Sequence, residues 1–281
     1  MDKSATKIQK YKKSGRKIVS LTAYDYNTAK VLDEADIDII LVGDSLAMVA
    51  LGHKDTLSIT MDEMIHHTKA VTRGASKTMV VADMPFMSYQ VDVSEAVRNA
   101  GRFVKEAGAN AVKLEGSGDH IIESVRRIID SGIPVLGHLG FTPQFINNFG
   151  GYFIQAKTAS KGEILLNEAL KLEKAGVFGL VLEMIPSPVG KYVSENLKIP
   201  TIGIGAGPNC DGQILVTDDL LGKYADFTPS FVRKYANLFE ISKSAVMNYR
   251  QDVIDGSFPD EIDESFALEP EEEEKLNFVK R

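Results

Sequence analysis

A single cysteine, Cys210, occurs in 281 residues. One thiol excludes an intramolecular disulfide and any cysteine-rich zinc site, and it suits a reducing compartment, so the cytoplasm is the expected location. No histidine is near it in sequence and nothing local would lower its pKa, which argues against a catalytic nucleophile. Also missing is any apolar run approaching the roughly 20 residues that span a bilayer, or the apolar core of a secretory signal. A basic surface is missing too. The net charge is −7, and residues 260–281 hold nine acids against three bases, so the rest is nearly neutral. Such a balance leaves no electrostatic footprint for nucleic acid, and the lysines of residues 3–17 read as the solvated face of a helix rather than a transit peptide.

With 44% hydrophobic residues, the chain can bury the core of one large α/β domain. Four apolar runs each close on an acid: Ile39 to Gly43 before Asp44-Ser45, Met79 to Asp83, Ala111 to Glu115, and Gly179 to Glu183. One strand-end acid alone reads as a helix cap or turn former. In parallel-strand folds, however, ligands collect beyond the carboxyl ends of the strands, so four such acids should converge. The expectation is a carboxylate site for a divalent metal and a base, built from Asp44, Asp83, Glu115 and Glu183.

A strand at Lys17–Thr22, a helix from Tyr26 to Asp33 and a strand at Ile39–Ser45 open the chain as β-α-β, which favours a parallel sheet. Thr60 and Glu63 form a capping box for a helix carrying His66 and His67, which point about 100° apart and so read as packing or surface residues. Residues 107–115 align with 175–183, making Glu115 and Glu183 equivalent; Lys113 shares a strand face with Glu115 and, once buried, needs an anionic partner. Asp119 is expected to cap the next helix, Pro134–Gly140 to form the fifth strand with His138 near its end, and Ser160 with Glu163 to box a sixth helix. His138 reads as a core or cap histidine with a role at the site left open. The intervening Thr142–Thr158 segment is too long and glycine-rich for a plain connector and is expected to close over a site.

Gly203, Gly205 and Gly207 end a seventh strand, following a short helix at Val189–Asn196. They lack the context of a dinucleotide fingerprint, leaving close approach to a ligand or tight packing. Gln213–Val216 serves as an eighth strand and residues 229–254 as terminal helices. The pattern fits a (β/α)8 TIM barrel over residues 1–259, with 260–281 as a mobile acidic tail.

Six motifs in order, Leu21–Tyr26, Leu41–Ser45, Ala82–Met87, Val112–Gly116, Gly137–Gly140 and Ile202–Gly207, closely resemble the ketopantoate hydroxymethyltransferases. The resemblance runs from about Tyr11 to Pro259. It implies a (β/α)8 barrel that binds Mg²⁺, moves a one-carbon unit from 5,10-methylenetetrahydrofolate to 3-methyl-2-oxobutanoate to give 2-dehydropantoate, a step toward pantothenate, and assembles as a homodecamer. By motif it implies Asp44, Asp83 and Glu115 as metal-site acids, with Asp44 binding directly. Asp44, Ser45, Asp83, Lys113 and His138 are then implied around the 2-oxo acid, and Glu183 as proton acceptor. No departure occurs at these positions.

That chemistry suits the residue types: removing a proton from C3 of a 2-oxo acid leaves an enolate, which Mg²⁺ stabilises as a Lewis acid. Lys113 could instead form a Schiff base, but three metal-type acids around it favour a protonated ammonium. A rival reading is a metal-dependent lyase or mutase of the phosphoenolpyruvate mutase and isocitrate lyase type. The cysteine motif of those lyases is missing from Thr142–Thr158. A barrel kept only for binding would lead one to expect gaps among the four acids. The folate pocket is not visible in the sequence.

Overall fold

Eight parallel strands close into a barrel in the computed structural model, which describes residues 3–273, 275 and 276. They are β1 (Ile18–Thr22), β2 (Ile39–Val42), β3 (Met79–Asp83), β4 (Ala111–Glu115), β5 (Val135–Gly140), β6 (Gly179–Glu183), β7 (Thr201–Ile204) and β8 (Gly212–Leu215). Each pairs with its neighbours in sequence, and β8 returns to β1. Parallel neighbours need a crossover between them, and helices supply it along most of the chain. β2 stops at Val42, three residues before the expected Ser45, because Gly43-Asp44-Ser45 already turns into a short helix at Leu46–Val49.

Strand alternation splits the interior into two cores. Outward-facing Ile40, Val42, Val80, Val112, Leu114 and Leu180 pack with the surrounding helices. Inward-facing Ile18, Ile39, Met79, Ala111, Leu136 and Ile202 fill the lower barrel, joined by Ile8 of the helix Ala5–Ser14. Each such large side chain, fully buried, contributes about 1.5–3 kcal/mol. Along the inner face the residues change from apolar to ionisable toward the strand C-termini: Met79, Val81, Asp83; Ala111, Lys113, Glu115; Leu136, His138; Val181, Glu183. The charges are thereby confined to one end.

Helix caps follow the sequence in part. The Thr60–Glu63 capping box is present. The helix Ala159–Ala175, however, is capped by Thr158, which is still extended and accepts the Lys161 N–H, so the Ser160–Glu163 box does not form. Asp119 is the first residue of the helix Asp119–Asp130 rather than its cap. The basic N-terminal segment is only partly a solvated face. Lys12 pairs with Asp211 at 2.8 Å and donates to the Ser194 carbonyl, and Lys3 and Lys17 donate to backbone carbonyls, fastening the helix under the barrel.

The chain leaves the barrel after β8. A helical turn at Thr217–Leu220 is followed by a helix at Leu238–Asp255, of which no residue is buried; residues 229–237 are not helical. Residues 260–273 are exposed, with a short helix at Pro270–Glu273. The rest of the acidic tail, at 274 and 277–281, lies outside the described residues, apart from 275 and 276. Among the described residues no helix is long and apolar enough to cross a membrane.

Candidate active site

Strand register decides which side chains meet at the charged end. Asp83 lies opposite Lys113, Glu115 opposite His138, and Gly140 opposite Glu183. Lys113 Nζ lies 2.7 Å from both Asp83 oxygens and 3.6 Å from Glu115 Oε1, with almost no exposure. Burial alone would lower its pKa, but Asp83, Glu115 and Asp44 outweigh burial and raise it. The amine is therefore held as an ammonium, which opposes its use as a Schiff-base nucleophile.

His138 stands between two carboxylates. Nδ1 is 3.2 Å from Glu115 Oε1, and Nε2 is 3.2 Å from Glu183 Oε2 but off the line of a hydrogen bond. Burial and Lys113 push the imidazole pKa down; Glu115 and Glu183 outweigh them and bring it up to about 9. Glu115 is fully buried, which by itself would raise its pKa, yet His138 and Lys113 hold it below the usual range. Gly140 admits this arrangement: with φ +94, any side chain there would run into the backbone of Glu183. Met184, directly after Glu183, also takes a left-handed φ of 47°, a conformation that collects at functional sites in non-glycine residues.

Two residues that carried no sequence signal complete the scaffold. The Gln144 N–H donates to Glu115 Oε2 at 3.0 Å, and its side-chain amide donates to Asp44 Oδ2 and to the Met84 carbonyl, each at 2.9 Å. Tyr89 donates to Gln144 Oε1 at 2.7 Å and accepts the Glu115 N–H at 3.1 Å. Gln144 lies within the expected closing loop, in a 3-10 turn at Pro143–Phe145, so this part of the loop supports the acids from beside them. Pro143 and Tyr152 of the same loop line the cavity above.

Asp44 differs from the other acids. It is buried, no cation among the described residues lies within ion-pair distance of it, and burial followed by Asp83 and Glu115 drives its pKa well above the ordinary carboxylate value. Among the described residues no three histidine, cysteine, aspartate or glutamate side chains form a ready-made metal cage. Asp44, Asp83 and Glu115 are neighbours, but Lys113 takes both oxygens of Asp83 and His138 engages Glu115. The charge balance nevertheless fits a divalent ion. With Asp44, Asp83, Glu115 and Glu183 ionised against Lys113 and His138, two negative charges are left over. The donors are oxygens, the set preferred by Mg²⁺, which keeps several waters and takes only one or two protein carboxylates.

A cavity of about 590 Å³ opens above these residues. Ser45 lines it and shares a 2.8 Å hydrogen bond with the Tyr24 hydroxyl. The glycines of the seventh strand serve packing: side chains at Gly203, Gly205 and Gly207 would collide with Cys210, Phe231 and Ser187. Cys210 is buried, with its thiol pKa raised mainly by burial, and His67 bonds the Tyr24 carbonyl at 2.7 Å, so neither joins the site.

The model of the ketopantoate hydroxymethyltransferase family matches residues 2–261. The chain is 58% identical over 250 residues to a 3-methyl-2-oxobutanoate hydroxymethyltransferase of Acetivibrio thermocellus, covering 89% of this chain and 88% of the relative. It is 56% identical to the enzyme of that name from Syntrophus aciditrophicus, covering 92% and 94%. Among solved structures, phosphonopyruvate hydrolase in complex with oxalate and Mg²⁺ matches with a TM-score of 0.59 at 13% identity, over 98% of this chain and 94% of that one. A 2,3-dimethylmalate lyase matches with a TM-score of 0.58 at 15% identity, covering 90% and 88%. At such identities these two share the fold alone.

Proposed function

This chain belongs to the ketopantoate hydroxymethyltransferase family, a family of pantothenate-pathway transferases, and from that premise we propose that it transfers a hydroxymethyl group from 5,10-methylenetetrahydrofolate to 3-methyl-2-oxobutanoate, forming 2-dehydropantoate. The observation that carries this reading is the divided duty of four carboxylates in one cavity. Asp83 and Glu115 are engaged by Lys113 and His138, Asp44 has no countercharge, and Glu183 keeps 17% of its side-chain exposure toward the cavity.

Asp44, with Asp83 and Glu115 directly or through water, would hold Mg²⁺, which when bound supplies Lewis-acid polarisation of the keto oxygen. Glu183 is the acid left to take the proton from C3 of the 2-oxo acid. Lys113 holds the substrate carboxylate or the developing enolate oxygen, as a fixed positive charge in a dry site can. Ser45 offers a hydroxyl to the same substrate, and His138 sits beside it, between Glu115 and Glu183. Water first hydrolyses the opened folate iminium to tetrahydrofolate and a one-carbon aldehyde, and the enolate carbon then attacks that carbonyl carbon, its oxygen taking a proton to give the hydroxymethyl product.

Assembly of several copies, ten by the family resemblance, belongs to the same reading. It is supported by the uncovered helix at Leu238–Asp255, where Ile241, Val246, Met247 and Tyr249 are each at least 57% exposed. A cytoplasmic location is supported by the single thiol, which is buried and unpaired. Lyases and mutases of the isocitrate lyase type share the barrel, but the high identity to hydroxymethyltransferases favours the transfer reaction. The test is product formation from both substrates. EDTA should abolish it and Mg²⁺ restore it, and full turnover by metal-free protein contradicts the metal assignment.

A further inference from the structure

The cavity is much larger than a small 2-oxo acid needs. Pockets of roughly 300–1,000 Å³ hold drug-sized ligands, and this one extends from the charged end of β4, past Met48 and Val49 after β2, to the β8 side of the barrel, lined there by Ile204, Tyr224, Phe227 and Phe231. In a closed eight-stranded barrel β8 stands across from β4, so this apolar lobe lies opposite Lys113 and Glu115.

One charged side chain faces that lobe from the chain just after β8. Asp219 is only 6% exposed and lines the cavity, yet among the described residues no donor lies within hydrogen-bond distance of its carboxylate. Its neighbour Asp218 is engaged, with the Lys223 ammonium 3.1 Å away. The turn bearing both acids is pinned to β1, where Thr217 donates its backbone N–H to Thr22 Oγ1 at 3.1 Å. Asp219 is thus a positioned carboxylate with its acceptor sites unused. Its oxygens are unbonded among the described residues and open onto the cavity, where a ligand that donates hydrogen bonds can take them.

We propose that Asp219 anchors the folate co-substrate by the 2-amino-4-oxo-pyrimidine edge of its pteridine. This rests on the folate reading above and adds the residue that selects the ring. The edge presents an exocyclic N–H and a ring N–H side by side, matching the two oxygens of a carboxylate fork. The flat ring system suits a lobe walled by Tyr224, Phe227 and Phe231. Burial, and secondarily Asp218, bring the Asp219 pKa up to about 6, against an opposing charge on Lys234, so the acid remains mostly ionised at neutral pH. An anchor on the pyrimidine ring grips the end of the folate remote from the transferred carbon, leaving that carbon to approach C3 of the 2-oxo acid.

Tetrahydrofolate and an analogue with the 2-amino group replaced by methyl would be titrated by calorimetry into the wild-type holoenzyme and into Asp219→Ala and Asp219→Asn. C3 proton exchange with the 2-oxo acid alone, which needs no folate, checks that each variant is folded. The wild type should bind the analogue about 10- to 100-fold more weakly than tetrahydrofolate, the weight of hydrogen bonds to a charged acceptor. Asp219→Ala should lose a similar factor for tetrahydrofolate and no longer distinguish the two ligands. The KM for methylenetetrahydrofolate should rise while that for the 2-oxo acid does not. If the wild type binds both ligands alike, or Asp219→Ala binds tetrahydrofolate normally, the anchor is wrong and the folate reading stands. A wild type that exchanges the C3 proton but neither binds nor uses folate overturns both.

Discussion

At the N-terminal end of the barrel, the Asp33 carboxylate accepts the backbone N–H groups of Ser76, Lys77 and Thr78 and the Ser76 hydroxyl, all within 2.6–3.0 Å. Asp38 there accepts the Val19 N–H and pairs with Arg16, and Asp211 binds Lys12 and Thr201. At the C-terminal end, Asp44 is buried beside Asp83 and Glu115 with one amide donor from Gln144, and Asp219 has no donor at all among the described residues. Burial opposes ionisation at both ends. Hydrogen bonds overcome it at Asp33, whose pKa falls below the ordinary range, whereas nothing in the protein does so at Asp44, whose pKa rises. At the end where a ligand is to bind, Asp44 and Asp219 are left wanting, while Asp83 and Glu115 beside Asp44 are engaged by Lys113 and His138.

Substitutions at the two ends should therefore move different observables. The largest effect belongs to Glu183→Gln, which keeps shape but cannot take a proton: turnover should fall by about 100- to 10,000-fold, the usual contribution of a general base, with no change in the urea midpoint. Asp33→Ala should do the reverse, lowering unfolding free energy by about 3 kcal/mol through orphaned buried N–H groups while kcat is unchanged. Its pH dependence has a definite sign. A folded-state pKa below the unfolded value makes the stabilisation complete above about pH 4 and lost as pH falls below it, so Asp33→Ala should flatten the acid limb of a stability profile.

A smaller effect is expected at Asp44. Asp44→Asn removes a repelled buried charge, so metal-free protein should become about 1 kcal/mol more stable in urea while Mg²⁺ affinity falls. Destabilisation like that of Asp33→Ala would break the comparison between the two ends. The smallest effect concerns the tail, where residues 260–273 are exposed throughout. Truncation after Pro259 should leave the urea midpoint and kcat nearly unchanged, and a clear loss of either would show the tail to be docked.

The strands were legible because apolar runs ending in acids repeat along the chain, and strand alternation alone places Lys113 beside Glu115. Asp44, Asp83, Glu115 and Glu183 stand at the ends of such runs, Lys113 and His138 lie within the strands β4 and β5, and the fold brings all of them to one cavity. Gln144 and Tyr89 could not be found that way, because they reach Glu115 from loops and a neutral amide or phenol has no characteristic spacing. Caps at Thr158 and Gly118 were misplaced by one or two residues, since several adjacent residues could begin each helix and packing decides among them. Asp219 also follows a strand, the eighth, but it stands in the helical turn beyond Leu215 rather than at or just past the strand tip, where the other acids are.

The most direct test of the central claim, that the satisfied and unsatisfied acids divide stability from chemistry, is C3 proton exchange of 3-methyl-2-oxobutanoate in deuterated water, followed by NMR without folate. The wild type and Asp33→Ala should both exchange the proton when Mg²⁺ is present, and Glu183→Gln should not. Exchange at the normal rate by Glu183→Gln, or its loss in folded Asp33→Ala, would contradict the account.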